Sequence, residues 1–350
     1  PIQHMTRSSG RSCTIQLRSV SSSASSFAIP SFFELPASAA RGVKRQRAEK
    51  QQLEMVSDQT FLAVRYKLVL SAWGRNSTIL MCQALAESFP RLPQMPPPQW
   101  LLDRKGGGSL KSVDPLAMRY LNSGLIESKN LMESLALDAA QLLYAVFQVP
   151  LHKSTHLKEL KATAKSRAAI ELLDDCSPQW LDSAPTHVND TVRGWACYGL
   201  SARASSFPNA LSALQPLADD ANSGVREWAW MAARQWVLRD PVACITHLQT
   251  HWAKHPSANL RRFCAEVTRP RGVWCAHIPE LKADPSPLGA LLSTLCAAPE
   301  RYVQNAVGNN MNDCSKTAPA WVRSTTEKWL KQYPGDDGVQ YVVARSRRTM

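Results

Sequence analysis

Asp190-Thr-Val-Arg-Gly-Trp-Ala196, Ser223-Gly-Val-Arg-Glu-Trp-Ala229 and Ala258-Asn-Leu-Arg-Arg-Phe-Cys264 are three versions of one pattern, and a weaker fourth runs Arg301-Tyr-Val-Gln-Asn-Ala306. The anchors Val192, Val225, Leu260 and Val303 stand 33, 35 and 43 positions apart. That is the length of a two-helix unit, which cannot bury its apolar face alone and must stack on its neighbours. The expected fold is all-α: a right-handed α-solenoid of HEAT-like helical hairpins, preceded by a largely disordered N-terminal segment. Stacking leaves a long concave surface free, so function should sit on side chains that point away from the core.

Outward from the repeats, the rest of the chain is less regular. Its 350 residues are 44% apolar, enough for a sizeable core. Nine cysteines stand singly with no Cys-x-x-Cys pair, as small buried hydrophobes do in a reducing compartment, and a cytoplasmic setting is expected. The stretch from Phe61 to Trp73 is broken by Arg65 and Lys67 and is too short to span a bilayer. The formal charge of +13 suggests nucleic acid, but residues 1–114 hold 15 Lys/Arg against 7 Asp/Glu, and the remainder is nearly balanced. Position, not total charge, must identify a partner.

Residues 1–114 read as a low-complexity extension: Ser-rich at Ser19 to Ser26, basic at Arg41 to Arg47, Pro-rich at Pro90 to Pro98. The acid-free opening with Arg7, Arg11 and Arg18 has the composition of a transit peptide, and the absence of an initial Met suits an incorrect start or a fragment equally well. Order is expected from Asp114-Pro115, with Leu131, Leu135, Leu142 and Val146 at helical spacing before Pro150, and a further helix from about Ser166 to Leu173. The repeat domain is placed at 115–332 and a C-terminal tail at 333–350.

A helical wheel separates the faces of each repeat. In the second copy Val225, Ala229, Ala232 and Trp236 form the core stripe, opposite Arg226, Glu227, Trp230 and Arg234. In the third, Leu260, Phe263, Cys264 and Val267 face the core, while Arg262, Glu266 and Arg269 share the other side; Pro270 ends the helix, and Arg271 and Trp274 follow. The fourth sets Asn305, Asn309, Asn312 and Lys316 opposite its core, with Asp313 on the flank. Alignment of these faces predicts a groove with Glu227, Glu266 and Asp313 as acids and Trp230 and Trp274 as exposed rings. Any one acid reads most simply as an arginine's salt-bridge partner. Three together in a basic groove suggest more, because carboxylates repel a phosphate backbone yet stabilise an oxocarbenium-like sugar or position a water.

Val225-Arg-Glu-Trp-Ala-Trp230, Arg261-Arg-Phe-Cys-Ala-Glu-Val-Thr-Arg-Pro-Arg-Gly-Val-Trp274 and Asn309-Asn-Met-Asn-Asp-Cys-Ser-Lys316 resemble the AlkC/AlkD family of DNA alkylation-repair glycosylases, the AlkC branch more than AlkD, over residues 115–332. The resemblance implies a base-excision-repair enzyme that grips duplex DNA containing alkylated bases. It would hydrolyse the N-glycosidic bond of cationic N-alkylated purines such as 3-methyladenine, without full base flipping. It marks Glu266, Asp313, Glu227 and Trp274 as catalytic, with Arg262 orienting Glu266 or holding a phosphate. Trp230, Arg226, Arg269, Arg271 and Lys316 are expected to contact DNA, with no cofactor, no metal, no membrane and a monomeric state. The rival reading is a non-catalytic HEAT-repeat protein that binds bent or branched DNA; a protein–protein scaffold would leave the arginine-framed acids unexplained. His247, His251 and His255 recur every fourth residue but read as surface histidines rather than ligands, and Gly106-Gly-Gly108 lacks the Lys-Ser/Thr of a phosphate loop.

Overall fold

A computed structural model describes residues 96–350, which belong to one compact unit. The expectations for the serine-rich, basic and proline-rich stretches up to residue 95 lie outside the described residues. All regular structure among the described residues is helical. The helices of seven residues or more are α1 (Pro115–Asn122), α2 (Ala139–Phe147), α3 (Ala162–Cys176), α4 (Asp190–Arg203), α5 (Phe207–Ala218) and α6 (Ser223–Arg239). They continue with α7 (Pro241–His251), α8 (Ala258–Val267), α9 (Gly289–Leu295), α10 (Arg301–Ser315), α11 (Pro319–Gln332) and α12 (Asp337–Ser346). None is long and apolar enough to cross a membrane.

The hairpins stack as an α-solenoid. The first helices of successive repeats form one row, α4 against α6, α6 against α8, α8 against α10 and α10 against α12. The return helices α5, α7 and α11 pack against the first helices on either side of them or against one another's neighbours in the outer layer, as α7 does with α9. The row holds because each anchor is wholly buried: Val192, Val225, Leu260 and Val303. Each first helix starts two residues before its anchor, and the N-caps Asn189, Asn222 and Ser257 accept backbone N–H groups there. Such a cap is worth about 1 kcal/mol.

The residue after the anchor has a fixed duty. Arg193 donates to the carbonyls of His187 and Val188, Arg226 to Asp220 and Ala221, and Arg261 to His255 and Pro256, at 2.6–3.2 Å. In the fourth copy Gln304 does the same to Ala298 at 2.8 Å. The side chain satisfies carbonyls that the turn into the helix leaves without partners, so the recurring Val-Arg is a device of the fold. Gly194 also answers to packing: a Cβ there would fall 2.9 Å from Trp228 of the next repeat, so only glycine lets α6 approach α4 this closely.

Both ends of the ordered fold extend beyond 115–332. Leu101 is buried, and Arg104 grips both carboxylate oxygens of Glu133 at 2.8 and 2.7 Å, a bidentate pair of the strong kind. Beyond residue 332, Asp337-Gly-Val-Gln-Tyr-Val342 is a fifth copy of the pattern, its anchor Val339 lying 36 positions past Val303. Asp336 caps it through the Val339 N–H, and Val339 and Val342 are wholly buried. The stretch expected as a tail thus forms the last first-row helix. Its backbone passes so close to α10 that a Cβ on Gly308 would lie 2.8–2.9 Å from the Arg345 stem.

Candidate active site

Along the first row, α4, α6, α8 and α10, together with the segments before α2 and at the start of α3, enclose a cavity of about 970 Å³. Its floor and walls include Asp190, Glu227, Trp230, Arg262, Glu266, Arg269, Trp274 and Tyr302. Repeat geometry explains the convergence. Glu227 and Arg262 stand two residues past their anchors, and Glu266 stands a further turn along α8, so stacking brings them side by side on one face.

The charges form a continuous chain. Arg262 Nη2 lies 2.5 Å from Glu227 Oε1 and 3.4 Å from Glu266 Oε1. Arg269 then links Glu266, at 3.2 Å, to Asp313, at 2.9 Å, and Lys316 closes the chain on Asp313 at 3.1 Å. Three carboxylates alternate with three cations, which offsets much of the cost of removing so many ions from water. Glu266 is 5% exposed and Asp313 3%. Burial pushes the Glu266 carboxyl above its ordinary value of 4.5, and Arg262 and Arg269 pull it part of the way back. Tyr302, at the start of α10, lies under the Arg262 guanidinium with 4.4 Å from carbon to ring centre, a cation–π contact that fixes the plane of the charge between its two acids.

The indole at the rim is held by a tight loop. Trp274 is 56% exposed with Val273 beside it, and its φ of 67° is left-handed, a conformation costing a non-glycine residue about 1–2 kcal/mol. Arg234 offsets that cost. Its buried guanidinium donates to Val267 O at 2.8 Å and to Ala276 O at 2.9 and 3.2 Å, tying the end of the Glu266 helix to the far side of the Trp274 loop. A Cβ at Gly272 would lie 2.4 Å from Cys275 Sγ, so the loop has room only for glycine there.

The residues singled out in the sequence divide into three groups. Glu227, Arg262, Glu266, Arg269 and Trp274 line the cavity, and Asp313 and Lys316 join it through Arg269. Arg226 is committed to the turn carbonyls and to the Tyr302 hydroxyl at 3.1 Å; a free phosphate-facing guanidinium was expected. Trp230, expected as an exposed ring, is 3% exposed and its Nε1 donates to Glu227 at 2.7 Å, so it aims the carboxylate from within the wall. Arg271 is half-buried, with an Nε that has no hydrogen-bond partner among the described residues. Asn305, Asn309 and Asn312 receive donors from Tyr341, Arg345 and Thr349, so α12 and the residues after it cover much of that face. Reading the sequence missed Tyr302, whose signal was its place one residue before the Val303 anchor. It also missed Arg234, placed on the solvent side by the wheel. His247 and His251 stack at 4.2 Å, and no group of three or more candidate ligands for a metal ion occurs among the described residues.

No family model matches the sequence. Uncharacterized protein YhaZ of Bacillus subtilis (strain 168) is 35% identical over 119 residues, 34% of this chain and 32% of that protein. The match therefore spans about a third of the relative's length. Among solved structures, the alkylpurine DNA glycosylase AlkC of Pseudomonas fluorescens, bound to DNA containing an abasic site analog, is similar with 24% identity and a TM-score of 0.49 over 60% of each chain.

Proposed function

We propose that this chain is a DNA glycosylase that hydrolyses the N-glycosidic bond of cationic N-alkylated purines, 3-methyladenine foremost, in duplex DNA. The observation that carries the reading is the pair Glu227 and Glu266 on the cavity wall, threaded by Arg262 and Arg269 to Asp313 behind it, with the exposed Trp274 also lining the cavity. An alkylated ring nitrogen already makes the base a good leaving group, so little proton donation is needed and stabilising the sugar cation dominates. Carboxylates fixed in place by arginines suit that task. They need no reorganisation as charge develops, and at short range in a low dielectric they act strongly.

In this reading Glu266 and Glu227 face the developing positive charge, with Glu227, the more exposed of the two, also placed to direct the attacking water. Asp313 holds Arg269 in register. The Trp274 indole packs on the sugar or the cationic base from the rim, without full base flipping. Arg271 and the exposed Lys316 contact backbone phosphates. The similarity of the three motif strings to the AlkC/AlkD family supports the same substrate class. The test is incubation of methylated genomic DNA with the purified chain and chromatography of the freed purines. Release of 3-methyladenine is expected, and binding without any released purine would overturn the enzymatic reading.

A further inference from the structure

Counting from the repeat anchors, Glu266, Asn309 and Arg345 occupy one position, six beyond Leu260, Val303 and Val339. Arg269, Asn312 and Arg348 occupy another, nine beyond. Glu266 and Asn309 both line the cavity, so this register is the inner wall, and the fifth repeat continues it. Where the third repeat sets a carboxylate beside an arginine, the fifth sets two arginines.

These two cations meet at a single neutral atom. Arg345 Nε and Arg348 Nη1 lie 3.1 and 3.0 Å from Asn309 Oδ1, and an amide oxygen neutralises neither. A third, Arg301, stacks over the Tyr341 ring at 3.6 Å, and that ring's hydroxyl is 3.4 Å from Arg345 Nη1. None of the three makes an ion pair with a carboxylate among the described residues, whereas Arg104, Arg193, Arg261, Arg262 and Arg269 all do. Like charges gathered without a counter-charge repel one another, and an anion between them relieves the repulsion. Planar forks of this kind match phosphate oxygens.

We propose that Arg345 and Arg348, flanked by Arg301, form a phosphate-binding site that prolongs the cavity wall and takes the backbone of duplex DNA beyond the lesion. It rests on the glycosylase reading only for the identity of its ligand. Arg345 lies on the helix expected to be a tail, Arg348 just after it and Arg301 at the start of α10, and their charge gives the solenoid a cationic end next to the acid-bearing centre.

The test measures binding of an undamaged fluorescent duplex by anisotropy over a series of salt concentrations. Each phosphate contact adds about 0.9 to the slope of log affinity against log salt. Arg345→Gln with Arg348→Gln is expected to lower the slope by about 1.8 and Arg348→Gln alone by about 0.9. Glutamine keeps the Cβ, Cγ and Cδ atoms that pack on Gly308; should the double variant fail to fold, the exposed Arg348 decides alone. Lysine at both positions should hold the slope. The pair Lys328→Gln and Lys331→Gln, exposed on α11, removes equal charge elsewhere and should leave the slope near that of the unaltered chain. An unchanged slope in the arginine variants, an equal fall in the α11 variants, or a site that binds inorganic phosphate while leaving duplex affinity untouched would each overturn the proposal. Because no base is cut in this assay, its failure is separate from a failure to release alkylated purines.

Discussion

Glu266→Gln isolates charge from shape at the centre of the site. The substitution removes one negative charge shared by Arg262, at 3.4 Å, and Arg269, at 3.2 Å. Stranding a buried ion costs about 3–5 kcal/mol. Here both cations keep a second acid, Glu227 for Arg262 and Asp313 for Arg269, so the expected loss is smaller, about 1–2 kcal/mol. For a domain of this size that is a fall of roughly 2–8 °C in the melting midpoint. The rate should suffer far more. Removing one preorganised electrostatic group costs about 3–4 kcal/mol of barrier, on the order of a hundred- to a thousand-fold. The assay is single-turnover release of 3-methyladenine from a defined duplex, with DNA affinity measured in parallel by anisotropy. Retained binding with a rate down at least a hundredfold supports the role; unimpaired release, or a loss of affinity that accounts for the whole fall in rate, refutes it.

The pH profile should carry the same signature: because burial raises the Glu266 carboxyl, the ionised form is lost on acidification earlier than for a free glutamate, placing the acid limb of the single-turnover rate above pH 4.5. The sign for stability is the reverse, since a raised folded value means the ionised form burdens the native state; the melting midpoint of Glu266→Gln relative to the unaltered chain should therefore improve as pH rises through the folded value. Trp274→Ala, at a position 56% exposed, should move the melting midpoint by only a few degrees while cutting base release at least tenfold; equal release would remove the indole from the chemistry. Arg234→Met leaves the carbonyls of Val267 and Ala276 without their donor and should cost about 2–5 kcal/mol in denaturant unfolding, with Arg234→Lys recovering only part because an ammonium cannot fork between them. Deleting residues 333–350 uncovers α10 and forfeits the buried Val339, Val342 and Val343, about 5 kcal/mol at roughly 1.5–2 each, so the truncated chain should scatter light and melt early.

The repeat period was legible because an anchor must be apolar and a two-helix unit has a fixed length, and both constraints fall directly on the sequence. The fifth copy, Asp337-Gly-Val-Gln-Tyr-Val342, carries Val-Gln in place of the anchor-plus-arginine pair, as the fourth copy does at Val303-Gln304. Gln304 shows why the change is tolerated: one amide N–H suffices for the carbonyl six residues back. The constant feature is the buried anchor, with a capping side chain three residues before it in every copy but the fourth, whose Glu300 makes no cap hydrogen bond, and by that measure Asp336 and Val339 mark the repeat.

The site was legible to the extent that a wheel assigns faces, and it failed where a face in a solenoid is not the same as a surface. Glu227 and Trp230 both sit opposite the core stripe of α6 and both line the cavity, yet Glu227 is partly exposed while the Trp230 ring is buried in the wall, bonded to that same carboxylate. Arg234, two turns further along α6 than Glu227, is buried because the loop after α8 folds back across it. Nothing in α6 encodes that closure; it depends on Gly272 and on the Ile278 N–H reaching Pro270 O at 3.1 Å, thirty and more residues downstream. Through Arg234 the closure ties the end of the helix that carries Glu266 to the loop that carries the strained Trp274, and both side chains line the cavity. Substitutions at Gly272 or Arg234, neither of which lines the cavity, should therefore alter catalysis through the spacing of Trp274 and Glu266, lowering the single-turnover rate more than the affinity for DNA.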